Sequence, residues 1–297
     1  PQTIVDEIKR AKSKQPHLST VNFHDDSFLA LPYRQLEDFA KLYKQEVKIP
    51  FAIGGVIPNY VREDKIALLV DAGMNRVRMG IQSGSDNILQ FYKRPTKLHR
   101  IKEATEILNK FDKYMIPPSY DIILENPVEK INDTRATVDM IYEMPRPYTL
   151  NVYALRVIPN TIMAKQIEDR GLKVPPIDKN YYIDYRRTLG NILVFALTIW
   201  KIPRWLYKIL RKRVYPVQDK QPSYPILFWI VRMIYLVKRA FNHLRFMDFS
   251  LLPGKIGRIF WKLGIISFWQ RFIVKQYHLP KQEYKNLPET PDNLKNI

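Results

Sequence analysis

Four short stretches of the 297-residue sequence put hydrogen-bonding groups just beyond apolar runs. In VNFHDDSFLALP the paired carboxylates Asp25 and Asp26 follow a strand-like segment. Carboxylates so placed accept hydrogen bonds from an ammonium group, or bind a metal with further ligands. An Asp before a helix is also an ordinary cap, so the pair alone decides nothing. In RVRMGIQSGSDNIL an alternating run ends in a turn crowded with Gly80, Ser83, Gly84 and Ser85. Gln82 and Ser83 offer side-chain hydrogen-bonding groups there, and Gly84 serves as a flexible turn residue. DNILQFYKR then starts a helix, with Ser85 or Asp86 as its N-cap. A strand that ends in a small polar loop and enters a helix is a common cradle for an anion or cofactor. The spacing matches neither GxGxxG nor GxxxxGK[ST], which leaves a dinucleotide or nucleoside triphosphate little support. DIILENP closes a buried-type strand with Glu125 and Asn126, and LNVYALRV adds Asn151 and Tyr153. Ser83 and Ser85 lack the GxSxG elbow, so no Ser/His/Asp triad is apparent.

These groups need elements to position them. Strands are predicted over 19–26, 47–56, 75–82, 117–126 and 148–157. Helices are predicted over 33–46, 62–74 (with Gly73 at its C-cap), 96–112 and 132–144. Strands about 30 residues apart with a helix in each gap call for right-handed βα units and a parallel sheet. HDD, GG, GIQSGS, LENP and then Asn151 and Tyr153 all fall at C-terminal strand ends. That edge is where parallel α/β folds bind ligands. Any single cluster is better read as an ordinary βα turn. Five in succession favour a functional rim.

Composition narrows the chemistry. There is no cysteine, which excludes disulfides and any Cys-ligated zinc or iron–sulfur site built from this chain alone. Five scattered His residues make a self-contained metal site unexpected as well. The sequence starts at Pro1 in a helical pattern, which suggests a piece of a longer polypeptide. The net charge of +19 is uneven: residues 1–179 carry 27 Lys/Arg against 23 Asp/Glu, and residues 180–297 carry 21 against 6. All five Trp lie in that second part.

Beyond Pro175-Pro176 the register changes. Helix-forming runs are predicted at 189–200, 204–214, 225–239 and 255–275, and none reaches the roughly 20 uninterrupted apolar residues of a membrane span. Between Leu189 and Lys275 only Asp219 and Asp248 are acidic. Trp, Leu and Ile faces backed by Lys and Arg fit helices lying in an anionic membrane interface. The competing expectation is a helical cap packed on the first part, its basic face solvated. Three regions follow: 1–175, a basic Trp-rich helical region at 176–278, and a polar, Pro-punctuated tail at 279–297.

FHDDSFL, DAGMNRVRMGIQSGSDNILQFYKR, YDIILENPVE and LNVYALRVIPNT, in this order and spacing, resemble the radical S-adenosylmethionine (SAM) enzymes. The likeness covers about residues 1–172 and is closest to the branch that often carries an N-terminal cobalamin-binding domain. It implies an α/β fold, a partial (β/α)6 TIM-like barrel of which strands two to six are present, followed by a mostly helical region. It also implies a CxxxCxxC loop, before Pro1, that binds a four-iron four-sulfur cluster. By the same resemblance Asp25 and Asp26 approach the amino group of SAM. Gln82 and Ser83 lie near its ribose or carboxylate, and Arg94 pairs with that carboxylate. Ile123, Glu125 and Asn126 line the adenine, while Asn151 and Tyr153 face adenine or substrate. Many relatives carry Glu where this sequence has Gln82, which keeps an acceptor oxygen and loses the charge.

The function expected is therefore the C-terminal part of a radical SAM enzyme. Its cofactors would be SAM, a four-iron four-sulfur cluster with ligands outside this chain, and cobalamin held by an absent N-terminal domain. It would activate a C–H bond of an apolar or lipid-like substrate for methylation or rearrangement, and this chain alone would be inactive. The expected location is the cytoplasm, with peripheral attachment to a membrane through residues 189–275. The alternative is a non-catalytic module whose basic region binds tRNA or another polyanion.

Overall fold

The structure, a computed structural model, describes residues 1–15, 18, 20–25, 28–174, 186–246, 256, 259, 260, 262–265 and 268. The tail at 279–297 and most of the helix expected at 255–275 lie outside the described residues.

Five parallel strands carry the architecture: β1 (Val21–His24), β2 (Phe51–Val56), β3 (Met74–Gln82), β4 (Ser119–Leu124) and β5 (Thr149–Ala154). They stand in the sheet in sequence order, β1-β2-β3-β4-β5. Sequence order is the winding of a (β/α) barrel, because a doubly wound open sheet reverses its order at a switch point. The helices are α1 (Gln2–Lys14), α2 (Tyr33–Leu42), α3 (Glu63–Asp71), α4 (Asp86–Phe91), α5 (Leu98–Asn109), α6 (Ile131–Glu143), α7 (Ile162–Glu168), α8 (Leu189–Ile199), α9 (Arg204–Arg211) and α10 (Pro225–Arg245). Each expected strand is present and shorter by a few residues at its ends, except β3, which starts one residue earlier. The helix expected over 33–46 instead closes with a wider π turn, Tyr43–Val47, stopped by Lys48 at φ +57°. After α3, Gly73 has φ +116° and its N–H donates to the Val70 carbonyl, the exit expected of it. The VIPNT turn ends at Thr161, whose hydroxyl accepts the Ala164 N–H and starts α7.

The chain divides into two compact units, residues 1–79 with 106–118 and 239–297, and residues 80–105 with 119–238. In the first, an aromatic cluster of Phe23, Phe28, Phe39, Tyr43 and Phe51 fills the space between β1, β2 and α2. Its rings meet mostly edge to face or tilted, as their quadrupoles prefer. Lys65 on α3 is buried, and its ammonium donates to the carbonyls of Leu29 and Leu31, both at 2.8 Å. Burial, with Arg62 nearby, lowers its pKa. Those two bonds tie the short 3₁₀ turn Phe28–Ala30, just past Asp25, to α3.

In the second unit, Tyr120, Ile122 and Leu124 of β4 and Leu150, Val152 and Ala154 of β5 are buried. The alternate residues Asp121, Ile123, Asn151 and Tyr153 are half-buried, and register pairs Asp121 with Asn151 and Ile123 with Tyr153. Period-two alternation thus leaves one polar and aromatic face partly open. Nearly all of α8 is buried, and it packs with β5, α6 and α9. α9 is docked on α6 by the Arg211 guanidinium, which meets both oxygens of Asp139 at 2.6 Å. The Tyr207 hydroxyl donates to Asp139 as well, and its ring stacks on Tyr142 at 3.9 Å.

Candidate functional site

Eight of the ten expected site residues, Gln82, Ser83, Arg94, Ile123, Glu125, Asn126, Asn151 and Tyr153, belong to the second unit. Asp25 lies exposed just past β1 in the first unit, and Asp26 is outside the described residues.

At the end of β3 the backbone turns left-handed at Gln82, with φ +72°. A side chain rarely tolerates this conformation, and such strain gathers at functional sites. The Gln82 amide folds back over Gly80: a Cβ there would stand 2.7 Å from its Nε2. Ser83 is fully buried. Its hydroxyl hydrogen-bonds Thr137 of α6 at 3.0 Å and accepts the Ser85 N–H at 3.1 Å. The Gly84 N–H also donates to the Thr137 hydroxyl, at 3.0 Å. Gly84 is not at positive φ; a Cβ there would lie 2.7 Å from the Ala136 carbonyl oxygen and the Thr137 Cα. Close approach to α6, rather than flexibility, requires glycine at this position.

Ser85 occupies the N-cap position of α4, but its hydroxyl donates to Asp133 Oδ1 at 2.5 Å instead of capping the helix. Burial works against the Asp133 charge. The Ser85 hydroxyl, the Lys130 N–H and the Asn87 amide outweigh it and hold the carboxyl below its usual range. Ser83 and Ser85 therefore lock the loop onto α6. Gln82 is the loop's partly accessible polar side chain at the strand end.

The end of β4 repeats the device. Glu125 is also left-handed, at φ +59°. Its carboxylate accepts the Arg186 N–H at 2.6 Å and the Asn191 side-chain amide at 2.8 Å, which fastens it to the start of α8. Burial raises its pKa, and those two hydrogen bonds oppose the rise. Asn126 is fully buried, donating to the Tyr92 hydroxyl and accepting the Val128 N–H. Glu129 is buried with Oε1 lacking a hydrogen-bond partner, and burial pushes its carboxyl up to about 8. Asn151 donates to Ser119 and Asp121 at 2.9 and 2.8 Å. Arg94 is exposed just beyond α4.

The expected residues thus fall into two kinds. Gln82, Ile123 and Tyr153 are half-buried at or one residue before the C-terminal strand ends, whereas Asn151, expected there, is half-buried in the first half of β5, beside Ser119 and Asp121. Ser83, Glu125 and Asn126 hold the loops that shape those ends. Thr137, Asp133 and Asn191 were not anticipated. The first two have a sequence signal, an i,i+4 polar pair in NDTRATVD that shares one helix face. Asn191 is the one amide within the apolar run LGNILVFALTIW.

A separate cavity of about 760 Å³ lies between α4, the start of α6 and α7. Asn87, Phe91, Lys93, Lys130, Asp133 and Arg170 help to line it, and none of the expected residues does. Among the described residues no group of three or more His, Asp or Glu could hold a metal ion.

Residues 1–141 match the family model described as the Radical SAM superfamily. A heme chaperone, HemW of Bacillus subtilis (strain 168), is 22% identical over 175 residues, 56% of this chain and 44% of HemW. The chain therefore spans less than half the length of that curated relative. Among solved structures, the archaeal Methanocaldococcus infernus Elp3 aligns at 18% identity over 78% of this chain and 57% of its own, with a TM-score of 0.43. The cobalamin-dependent S-adenosylmethionine radical enzyme OxsB, with aqua-cobalamin and S-adenosylmethionine bound, aligns at 17% identity over 90% of this chain and 44% of its own, with a TM-score of 0.49.

Proposed function

We propose that this chain is the SAM-binding part of a radical SAM enzyme that acts on an apolar or lipid-like substrate. The observation that carries the reading is the half-open face at the ends of β3, β4 and β5, with left-handed backbone at both Gln82 and Glu125. A nucleoside joined to an amino acid needs aromatic and aliphatic surface for its base, and neutral donors and acceptors for its ribose. Tyr153 and Ile123 suit the first need and Gln82 the second, with Asn151 deeper along the same face, its amide donating to Ser119 and Asp121. This donor set fits SAM.

An iron–sulfur cluster does not fit the chain. There is no cysteine in the sequence and no metal-holding group among the described residues. Cluster ligands would have to come from outside these 297 residues. SAM is the group that this chain would hold. The role of this chain is to bind and orient it. Cobalamin would likewise be held elsewhere.

Binding of SAM to the purified chain, followed by saturation-transfer NMR, tests the reading. Transfer to the adenine and ribose protons is expected, and Gln82→Ala and Tyr153→Ala should each weaken it about tenfold, near 1.4 kcal/mol. Absence of transfer at millimolar SAM would overturn it.

A further inference from the structure

α9 and the part of α10 up to Lys238 belong to one unit, and both turn large apolar side chains to the outside. On α10, Phe228, Val231 and Tyr235 are buried, one helical stripe at i, i+3 and i+7. The opposite stripe, Ile226, Trp229, Ile230, Met233 and Val237, is exposed, from 52% at Trp229 to 78% at Ile226. No charge interrupts it. Arg232 lies over the rings of Phe195 and Tyr235, and the Lys238 ammonium donates to the carbonyls of Thr198 and Ile199 at the end of α8. Both cations of this stretch are turned toward the protein, leaving aliphatic and indole surface outside. On α9, Trp205 and Ile209 are exposed while Tyr207 is buried, and Arg204 and Lys208 stand exposed beside them.

We infer that α9 and α10 form a docking surface for an anionic lipid leaflet, lying in the interface without crossing it. Three observations select lipid over other occupants. The patch far exceeds the scattered apolar residues ordinary on a soluble surface, and exposed patches of this kind mark interaction sites. Its surroundings are uniformly cationic: Lys201, Arg204, Lys208, Lys212, Arg213 and Lys220 stand in a stretch whose sole acid between 189 and 247 is Asp219. Anionic headgroups complement that charge, whereas a second copy would bring like charges together. Third, the centre of the face is aliphatic, which suits acyl chains and not the phosphates of a nucleic acid. The exposed indoles of Trp200, Trp205 and Trp229 are of the type that settles at the headgroup boundary. No helix among the described residues is long and apolar enough to cross a membrane.

This inference does not rest on SAM binding. It is tested by sedimenting the full chain with vesicles of phosphatidylcholine plus phosphatidylglycerol, and with phosphatidylcholine alone. At least about tenfold more bound protein is expected with the anionic lipid, falling as salt rises. Ile230→Glu with Met233→Glu should abolish binding to both vesicles. Arg204→Glu with Lys208→Glu should remove only the preference for anionic lipid. Circular dichroism and SAM binding of each variant should match the parent, so a fold defect or a failed SAM reading shows separately. Equal partition into the two vesicles would overturn the inference, as would binding unaffected by the α10 substitutions. A salt-resistant homodimer or an RNA complex formed without vesicle binding would overturn it too.

Discussion

Gly84 and Gln82 sit two positions apart in GIQSGSD and exchange the roles that composition assigns them. Glycine in a turn ordinarily means left-handed backbone, yet Gly84 is not at positive φ and Gln82 is. What Gly84 provides is missing volume against α6. Gly84→Ala would force a Cβ onto the backbone of Ala136 and Thr137 at 2.7 Å, and backbone cannot rotate aside as a side chain can. A loss of about 2 kcal/mol in chemical denaturation is expected, within the range for overpacking. Glu129 makes a second prediction at this scale. Its folded carboxyl titrates near 8, above the unfolded value, so the folded state binds more protons between the two. The stability it contributes is complete below about pH 4.3 and is lost as pH rises through about 8. Glu129→Gln should flatten that decline, seen as a smaller fall in melting temperature between pH 5 and pH 8 (conditions on the order of the window set by the linkage). Neither role was legible beforehand: close approach and burial are tertiary facts, and both residues stand in ordinary loop composition.

At the scale of elements the sequence was more transparent. The strands over SYDIIL and TLNVYA were legible as apolar runs, whereas the shared, partly open face of Ile123, Asn151 and Tyr153 emerges only from the burial pattern and the strand register. The α-helices α8 and α10 were less separable, because LGNILVFALTIW and PILFWIVRMIYLVKR are both apolar almost all round. Only packing distinguishes them: α8 is enclosed by β5, α6 and α9, while α10 keeps one stripe outside. The same limit hid how α9 is held, since Asp139 and Arg211 are 72 residues apart in sequence. Burial opposes the Asp139 charge, but Arg211 and Tyr207 outweigh it and lower its pKa. Arg211→Ala removes both guanidinium bonds and should raise amide exchange across 204–211 about tenfold while leaving α8 protected. Unchanged exchange in α9 would mean that the Tyr142–Tyr207 stack suffices.

For the molecule as a whole, the parallel sheet runs in sequence order, and residues 1–141 match the Radical SAM superfamily model. The proposed reading seats SAM against the face of Gln82, Ile123 and Tyr153, and the inferred lipid contact is the apolar face of α9 and α10. Saturation-transfer NMR of SAM with the purified chain tests the central claim most directly. Transfer to the adenine protons is predicted, reduced about tenfold by Tyr153→Ala and unchanged by Ile230→Glu on the outer face of α10. No transfer at millimolar SAM, or transfer that Gln82→Ala and Tyr153→Ala leave intact, would contradict it.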